Sequence, residues 1–361
     1  MITTLLTLSI LLILLSSLSF IQHQHWVFRV PEFLKLQILV LQVPTVIILF
    51  IVMEKGTLFW LLQSVQTILI AYHAYILSRY TKFWRTQKIK KSPTASEKIK
   101  IISCNVYQFN REFNRFIELI RIEKPDIFIT MESNSEWEMA MKELEEDYPI
   151  QQKVTLENTY GMHFYTKLKV NHIETHYFVA DDVPSIEAKL ETKDGHRFLF
   201  FGVHPPPPSP TEEETSKERD GDLLSVAKKV RNSALPVVVI GDFNNVAWAK
   251  SSILFSKTSK LIDGRIGRGI LATFHAKYWF FKIPLDLFFH SPDVYIDSLK
   301  ILPPVGSDHF PVSCTFHIDY QSNHQEEFVE DLDEEQKKEV DELIEEGKEE
   351  ESDNREQVAS E

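Results

Sequence analysis

The sequence predicts an α/β domain carried behind a set of apolar spans, and three observations lead there. Between Lys98 and about residue 320, apolar runs of strand length alternate with stretches of helical periodicity. Those strand-like runs repeatedly stop at a carboxylate, a carboxamide or an imidazole. Residues 1–78 are strongly apolar, whereas the chain from Gln325 onward is almost entirely polar and acidic.

The apolar zone comes first. No charged residue occurs in residues 1–28, residues 36–53 form an uncharged run that includes Pro44, and residues 56–78 form another. Each is long enough as a helix to cross a hydrocarbon core of ~30 Å. Three transmembrane helices are therefore expected at about 3–22, 36–53 and 57–78, within an anchor segment spanning 1–92. The first run lacks a basic start and an obvious small-residue cleavage site, and two more spans follow at once, which favours an anchor over a cleaved signal peptide. Proline inside a span is tolerated in lipid. Glu54, Lys55 and Gly56 form a very short connection, so the second and third spans are expected as an antiparallel hairpin.

Orientation follows from the flanking charges. Arg79, Lys82, Arg85, Lys88, Lys90 and Lys91 follow the third span, against only Arg29, Glu32 and Lys35 in the loop after the first. The positive-inside rule then places an integral membrane protein of the cell membrane with its globular part in the cytoplasm. The same basic residues would also suit anionic headgroups on whichever face they meet.

The globular zone, 97–320, is read next. Ile101-Ile102-Ser103-Cys104-Asn105-Val106 is a strand carrying Asn105 at its end. Residues 109–123 place Phe113, Phe116, Ile117 and Ile120 at the spacing of an amphipathic helix, which Lys124-Pro125 ends. Residues 126–131 are the next strand, with Glu132 at its end. Residues 160–165 and 197–203 are further strands, the latter delivering His204 into prolines 205–208. A helix is expected over 218–231. Pro236-Val237-Val238-Val239-Ile240 reads as a buried strand that stops at Gly241 and presents Asp242 and Asn244. Residues 283–289 form a strand through Asp286. Val305-Gly306-Ser307-Asp308-His309-Phe310-Pro311 then precedes a last strand at 312–318. Cys104 and Cys314 sit in apolar β-like runs and read as small core residues, so they do not indicate a compartment.

The acidic tail, 321–361, is expected to be disordered or a solvated helix, with too little apolar surface at 334–346 to pack firmly. Residues 325–361 hold 18 Asp and Glu against 4 Lys and Arg, a net of −14 within a whole-chain −13, which leaves the remainder at +1. The body is thus near neutral and lacks the basic excess that supplies nucleic-acid affinity.

Asn105, Glu132, His204, Asp242, Asn244, Asp286, Asp308 and His309 all stand at or near strand ends. The set supplies carboxylates for a hard divalent cation, carboxamides for phosphate oxygens, and two imidazoles, which suits hydrolysis of a phosphate ester by activated water. Singly, each has a plainer reading: a turn or cap residue, a structural histidine, a rigid proline connector. Their joint order favours a site.

The pieces Ser103-Cys104-Asn105-Val106, Met131-Glu132, Tyr160-Gly161-Met162, His204-Pro205-Pro206, Gly241-Asp242-Phe243-Asn244, Leu285-Asp286-Leu287-Phe288 and Ser307-Asp308-His309-Phe310-Pro311 resemble the endonuclease/exonuclease/phosphatase superfamily, in its order. The three spans resemble those of membrane-anchored bacterial members. The resemblance implies a four-layer α/β sandwich of the DNase I-like type and Mg²⁺- or Mn²⁺-dependent phosphoester hydrolysis. It implies Glu132 as the principal metal carboxylate, with Asn105 beside it and Asp308 at the metal and phosphate site. It implies His204 and Asn244 on the scissile phosphate, Asp242 on the attacking water, and His309 on the phosphate with its ring oriented by Asp286. Tyr160 would line the same cleft. One departure is Tyr107, where many nucleases of the family have an aspartate.

The expected activity is that of a membrane-anchored metal-dependent phosphoesterase acting on a lipid or lipid-linked headgroup. A membrane-tethered nuclease and a catalytically inactive binding module are the alternatives. The stretch Phe274 to Phe281, rich in aromatics, reads equally as a lipid-touching loop or as a core strand with a short loop.

Overall fold

The computed structural model describes residues 2–84, 97–320 and 325–351. In chain order it holds α1 (Ile2–Leu18), α2 (Trp26–Phe33), α3 (Lys35–Val52) and α4 (Thr57–Ser78), then β1 (Ile99–Asn105), α5 (Phe113–Glu123), β2 (Ile127–Met131), α6 (Ser135–Met141), β3 (Ile150–Val154) and β4 (Met162–Thr166). There follow β5 (Lys169–His176), β6 (Ser185–Glu191), β7 (Arg197–Val203), α7 (Lys217–Arg231), β8 (Val237–Asp242), α8 (Lys250–Ser259), β9 (Ile262–Asp263) and β10 (Asp286–His290). The last are β11 (Val294–Ile301), β12 (Val312–Ile318) and α9 (Glu334–Glu349).

The strands form two six-stranded mixed sheets, ordered β11-β12-β1-β2-β4-β3 and β5-β6-β7-β8-β10-β9. Their inner faces meet in one apolar layer that includes Ile101, Ile129 and Phe164 from the first sheet and Phe200, Ile240 and Phe288 from the second. Phe116, Ile117 and Trp137 cover the outside of the first sheet. Leu223, Val226 and Phe255 cover the outside of the second. Helix, sheet, sheet and helix thus stack as the four expected layers, each element burying its apolar face against the next.

The apolar N-terminal segment differs from expectation in three ways. Among the described residues, only Lys35–Val52 is both long and apolar enough to cross a membrane. Ile2–Leu18 stops short of that length. Thr57–Ser78 is long enough, but it spends part of its surface on a polar seam. Gln66 donates to Ser9 Oγ, and Gln63 Nε2 donates to the Val46 carbonyl at 3.0 Å. Gln42 Nε2 adds a 2.9 Å bond to Ser16 Oγ. The three helices α1, α3 and α4 pack on one another through this seam, and α3 and α4 form the expected hairpin. Third, the expected loop after the first run is a helix, α2, with His25 capping its start.

α2 lies on the globular domain. Trp26 N–H donates to the Glu214 carbonyl at 2.9 Å, Trp248 Nε1 donates to the Glu32 carbonyl at 2.8 Å, and Arg29 pairs with Asp220 at 3.9 Å. The end of α4 docks too, through Tyr80 against Trp248, with ring centroids 5.4 Å apart. Of the six basic residues used to orient the anchor, Arg79 and Lys82 are described; Arg85, Lys88, Lys90 and Lys91 lie outside the described residues.

The acidic tail is the clearest correction. Residues 334–349 form a helix begun by a reciprocal capping box between Asp333 and Gln336. Val340, Leu343 and Ile344 make a narrow stripe that packs with Leu224 and Leu254. Gly347 lets this helix approach α7 so closely that a Cβ there would lie 2.7 Å from the Lys217 carbonyl. Its acidic face meets lysines: Glu339 pairs with Lys250, Asp341 with Lys228, and Glu350 with Lys217 at 2.6 Å. Charge complementarity and a glycine-to-glycine crossing supply what the short apolar stripe lacks. Residues 321–324 and 352–361 lie outside the described residues.

Candidate active site

The topology explains why distant motifs converge. β1 and β2 are parallel neighbours with Asn105 opposite Met131, so Asn105 and the following Glu132 emerge side by side from one sheet. β7 and β8 are parallel neighbours in the other sheet with Val203 opposite Gly241, so His204 and Asp242 emerge together there. β10 runs antiparallel to β8 and starts at Asp286, directly opposite Asp242. β12 runs antiparallel to β1, which returns the loop holding Ser307, Asp308 and His309 to the same edge.

The turns at this edge are conformationally demanding. Glu132, Asn244 and Tyr107 adopt left-handed backbone with φ of 59°, 47° and 58°. A non-glycine residue in that region costs ~1–2 kcal/mol, a strain that surrounding contacts must hold in place. At Gly241 a Cβ would lie 2.0 Å from the Val203 carbonyl oxygen, so only glycine lets β8 pass β7 here.

One oxygen, Asp242 Oδ2, sits at the centre. Asn105 Nδ2 donates to it at 3.1 Å, His309 Nε2 lies 3.5 Å away and His204 Nε2 4.0 Å away. Asp242 Oδ1 accepts the Asn244 backbone N–H at 2.9 Å, and Asn244 Nδ2 donates to the Pro205 carbonyl at 2.9 Å. His309 Nδ1 lies 2.9 Å from Asp286 Oδ2. Ser307 Oγ donates to the Asn105 carbonyl at 2.8 Å and accepts from His309 N–H at 3.0 Å, which fixes the His309 backbone against β1.

Electrostatics separate the two histidines. Burial pushes the His309 imidazolium down, but Asp242 and Asp286 outweigh it and raise its pKa to about 10. His204 has no comparable pairing. Burial lowers it to about 4, against the pull of Asp242, so it is neutral. His204 Nδ1 is buried without a hydrogen-bond partner among the described residues. Two buried imidazoles therefore hold different charges near neutral pH, one a fixed cation and one a neutral donor or acceptor.

Glu132 is the second focus. Its Oε1 accepts from Asn105 Nδ2 at 2.7 Å and its Oε2 from Gln108 N–H at 3.1 Å. Burial, then the charge of Asp308, raises its pKa to about 7 despite these bonds. Two carboxylates facing one cavity with no cationic side chain bonded to Glu132 form the hard oxygen set that a divalent ion favours. Glu132 and Asp308 are therefore carboxylates that could hold a divalent ion. Asn105, expected beside Glu132 at the metal, is turned so that its Nδ2 donates to the carboxylates of Glu132 and Asp242 while its Oδ1 accepts Tyr107 N–H at 3.0 Å. Tyr107 thus takes part through its backbone. Asp242, Asp286 and His309 also hold their ligand atoms within 4.8 Å of one another. With His309 Nδ1 engaged by Asp286, that group forms an ion-paired imidazolium.

All nine residues expected at the site line or support one cavity of about 460 Å³. Asp286 lies beneath His309, outside the lining, and Tyr160 packs its ring 5.4 Å from that of His204 while donating to Glu212. Three contributors escaped the sequence reading. Gln108 braces Glu132 through its N–H, and its side chain bridges the Glu157 carbonyl and Thr159 N–H, both at 2.9 Å. Arg219 is buried in α7 and donates Nη1 to the Asn244 carbonyl at 3.0 Å, which supports that residue's left-handed turn. An arginine in a charged helical segment carries no sign in sequence that it points inward. Val30, Phe33 and Leu34, from α2 and its exit, line the cavity as well, and no sequence feature links them to motifs that begin only at Ser103.

Comparison with known proteins agrees with this geometry. No curated protein matches the sequence significantly. Among solved structures, D. rerio TDP2 in complex with a single-strand DNA product superposes with a TM-score of 0.52 at 17% identity, covering 61% of this chain and 99% of that one. A Bacteroides vulgatus endonuclease/exonuclease/phosphatase gives 0.51 at 19% identity, covering 62% and 100%. These similarities establish the fold. The profile of the Endonuclease/Exonuclease/phosphatase family matches residues 102–309, from within β1 to His309, and the chain belongs to that family of divalent-metal-dependent phosphoester hydrolases.

Proposed function

We propose that this chain is a membrane-anchored, Mg²⁺- or Mn²⁺-dependent phosphoester hydrolase that works at the membrane surface, with its catalytic domain on the cytoplasmic face. The observation that carries the chemistry is the single cavity in which the Glu132–Asp308 carboxylates face the Asp242–His309–Asp286 cluster. The anchor reading rests on Lys35–Val52, which is long and apolar enough to span, and on its direct junction with a helix docked to the domain.

In this reading Glu132 and Asp308 would hold the ion, which would supply Lewis-acid polarisation of a phosphoryl oxygen. Asn105 and Gln108 keep Glu132 in place. Asn244 and His204 contact the phosphate, with Arg219 fixing the Asn244 turn. Asp242 aims a water at phosphorus and takes its proton. The water oxygen forms the new P–O bond, the ester P–O bond breaks, and the leaving oxygen takes a proton from solvent to become an alcohol, while Asp242 returns to solvent the proton it took. His309, held positive by two carboxylates, offsets the charge that develops on the phosphoryl oxygens. Asp286 orients its ring, as the third member of a triad does.

Nucleic acid is the second reading, favoured by the likeness to a protein solved with a single-strand DNA product. The near-neutral body of the chain and the apolar side of the cavity weigh against it.

Hydrolysis of a chromogenic phosphodiester by the detergent-solubilised chain should require Mg²⁺ or Mn²⁺; full turnover in excess EDTA would rule out the metal role. His309→Ala and Asp242→Asn should each lower kcat at least ~100-fold. Asp286→Asn should cost less than His309→Ala, and the Asp286→Asn/His309→Ala double variant should be little worse than His309→Ala alone. Additive losses in that cycle would mean the two side chains act separately. For topology, an alkaline phosphatase fused after Glu361 should be inactive in cells; strong activity would place the domain on the outer face.

A further inference from the structure

The cavity holding the catalytic groups has a second, apolar half. It is lined by Val30, Phe33 and Leu34 on one side and by Phe274, Phe281 and Ile283 on the other. Val30, Phe33 and Leu34 remain partly exposed there, although each is an apolar residue on a segment otherwise pressed against the domain. A phosphate ester with a small polar leaving group has no use for such a wall.

The wall is continuous with the surface that would face lipid. Leu34 leads straight into Lys35, the first residue of α3, whose outer face exposes Val40, Leu41, Ile47 and Ile48. The opposite side of the groove is fastened to the same point: Gln37 Nε2, in the first turn of α3, donates to the Lys282 carbonyl at 2.8 Å. The loop that carries Phe281 exposes Tyr278, Trp279 and Phe280, with Trp279 86% exposed. Aromatic side chains of this kind sit well at the headgroup level of a bilayer. Lys277 and Lys282 flank the same loop, with their ammonium groups over Tyr107 at 5.4 Å and Phe310 at 4.5 Å, next to the site. Catalytic groups, an apolar groove, a lysine- and aromatic-bearing rim and the start of a membrane-length helix therefore follow one another without a break.

We propose that the substrate is a membrane lipid phosphoester, its phosphate held by the polar half of the cavity and the first part of its chain lying in the groove between α2 and the 274–283 segment. This rests on the hydrolase reading above and adds the substrate class. It also gives the anchor a second role: α2 forms part of the binding site, in addition to tethering the domain.

The test uses the full-length chain in non-ionic detergent with Mg²⁺ and a series of 4-nitrophenyl alkyl phosphate diesters whose chains run from two to eight carbons. Wild type is compared with Phe33→Ala and Val30→Asp at every chain length. Taking the wild-type-to-variant ratio of kcat/KM cancels partition of the longer esters into micelles. A buried methylene is worth up to about fourfold, so the ratio should climb at least tenfold from the shortest to the longest ester. Val30→Asp, at a partly exposed position, keeps the test sound if Phe33→Ala fails to fold. Turnover of the esters with a ratio independent of chain length would overturn the lipid assignment and leave the hydrolase reading standing. No turnover of any ester would overturn both. Faster hydrolysis of a single-stranded oligonucleotide than of the eight-carbon ester would overturn the lipid assignment in favour of nucleic acid.

Discussion

The Asp242 carboxylate joins the two halves of the fold. Through Asn105 it is bonded to the first sheet, through Asn244 N–H it closes the turn after β8, and it sits opposite both imidazoles. A buried carboxylate is costly unless it is paired and hydrogen-bonded. Here the cost is met by a cation, His309, whose charge exists because Asp242 and Asp286 flank it. The arrangement is mutually dependent. Removing one member leaves another charge buried without a partner, which links stability and chemistry at the same atoms. Glu132 and Asp308 form no ion pair among the described residues, and that asymmetry is the physical reason the site suits a divalent ion.

Much of this was legible in the sequence, for a reason particular to parallel strands. A strand buried on both faces is an unbroken apolar run, so its polar end residue stands out. Val237–Asp242 and Ile127–Met131 followed by Glu132 are the plainest cases, buried throughout. The edge strands were not legible. β5 half-buries Val170 and Ile173 three residues apart across a register shift, and β3 has no fully buried residue, so neither presents a regular apolar alternation to read. The tail helix was misread because its anchoring is not apolar area alone: Gly221 meets Gly347, and lysines on α7 and α8 meet its acids. Both depend on a partner surface that a sequence does not display. The same holds for Arg219 and Gln108, whose roles come from where the chain returns. The anchor was half-legible: the apolar runs are there, but the polar residues Gln42, Gln63 and Gln66 lie on helix–helix contacts that hydropathy counts only as a deficit.

The N-terminal segment bears on function as well as location. α2 is fastened to the domain by backbone bonds and the Trp248 indole, and the end of α4 by an aromatic contact to the same tryptophan. A domain docked in this way has a set orientation, unlike one that swings on a flexible linker. Its cleft opens beside the start of α3, so in the proposed reading tethering and substrate selection would share residues.

The central claim is that the Asp242–Asp286 carboxylate pair holds His309 as a fixed cation. The most direct measurement is an NMR titration of the full chain carrying ¹³C-labelled histidine, with the His309 resonance assigned by its loss in His309→Gln. The account predicts an imidazolium signal that persists through pH 8 and titrates only near 10, with a clear fall in that midpoint in Asp286→Asn. A His309 that titrates near its ordinary value of about 6.5, unmoved by Asp286→Asn, would contradict it.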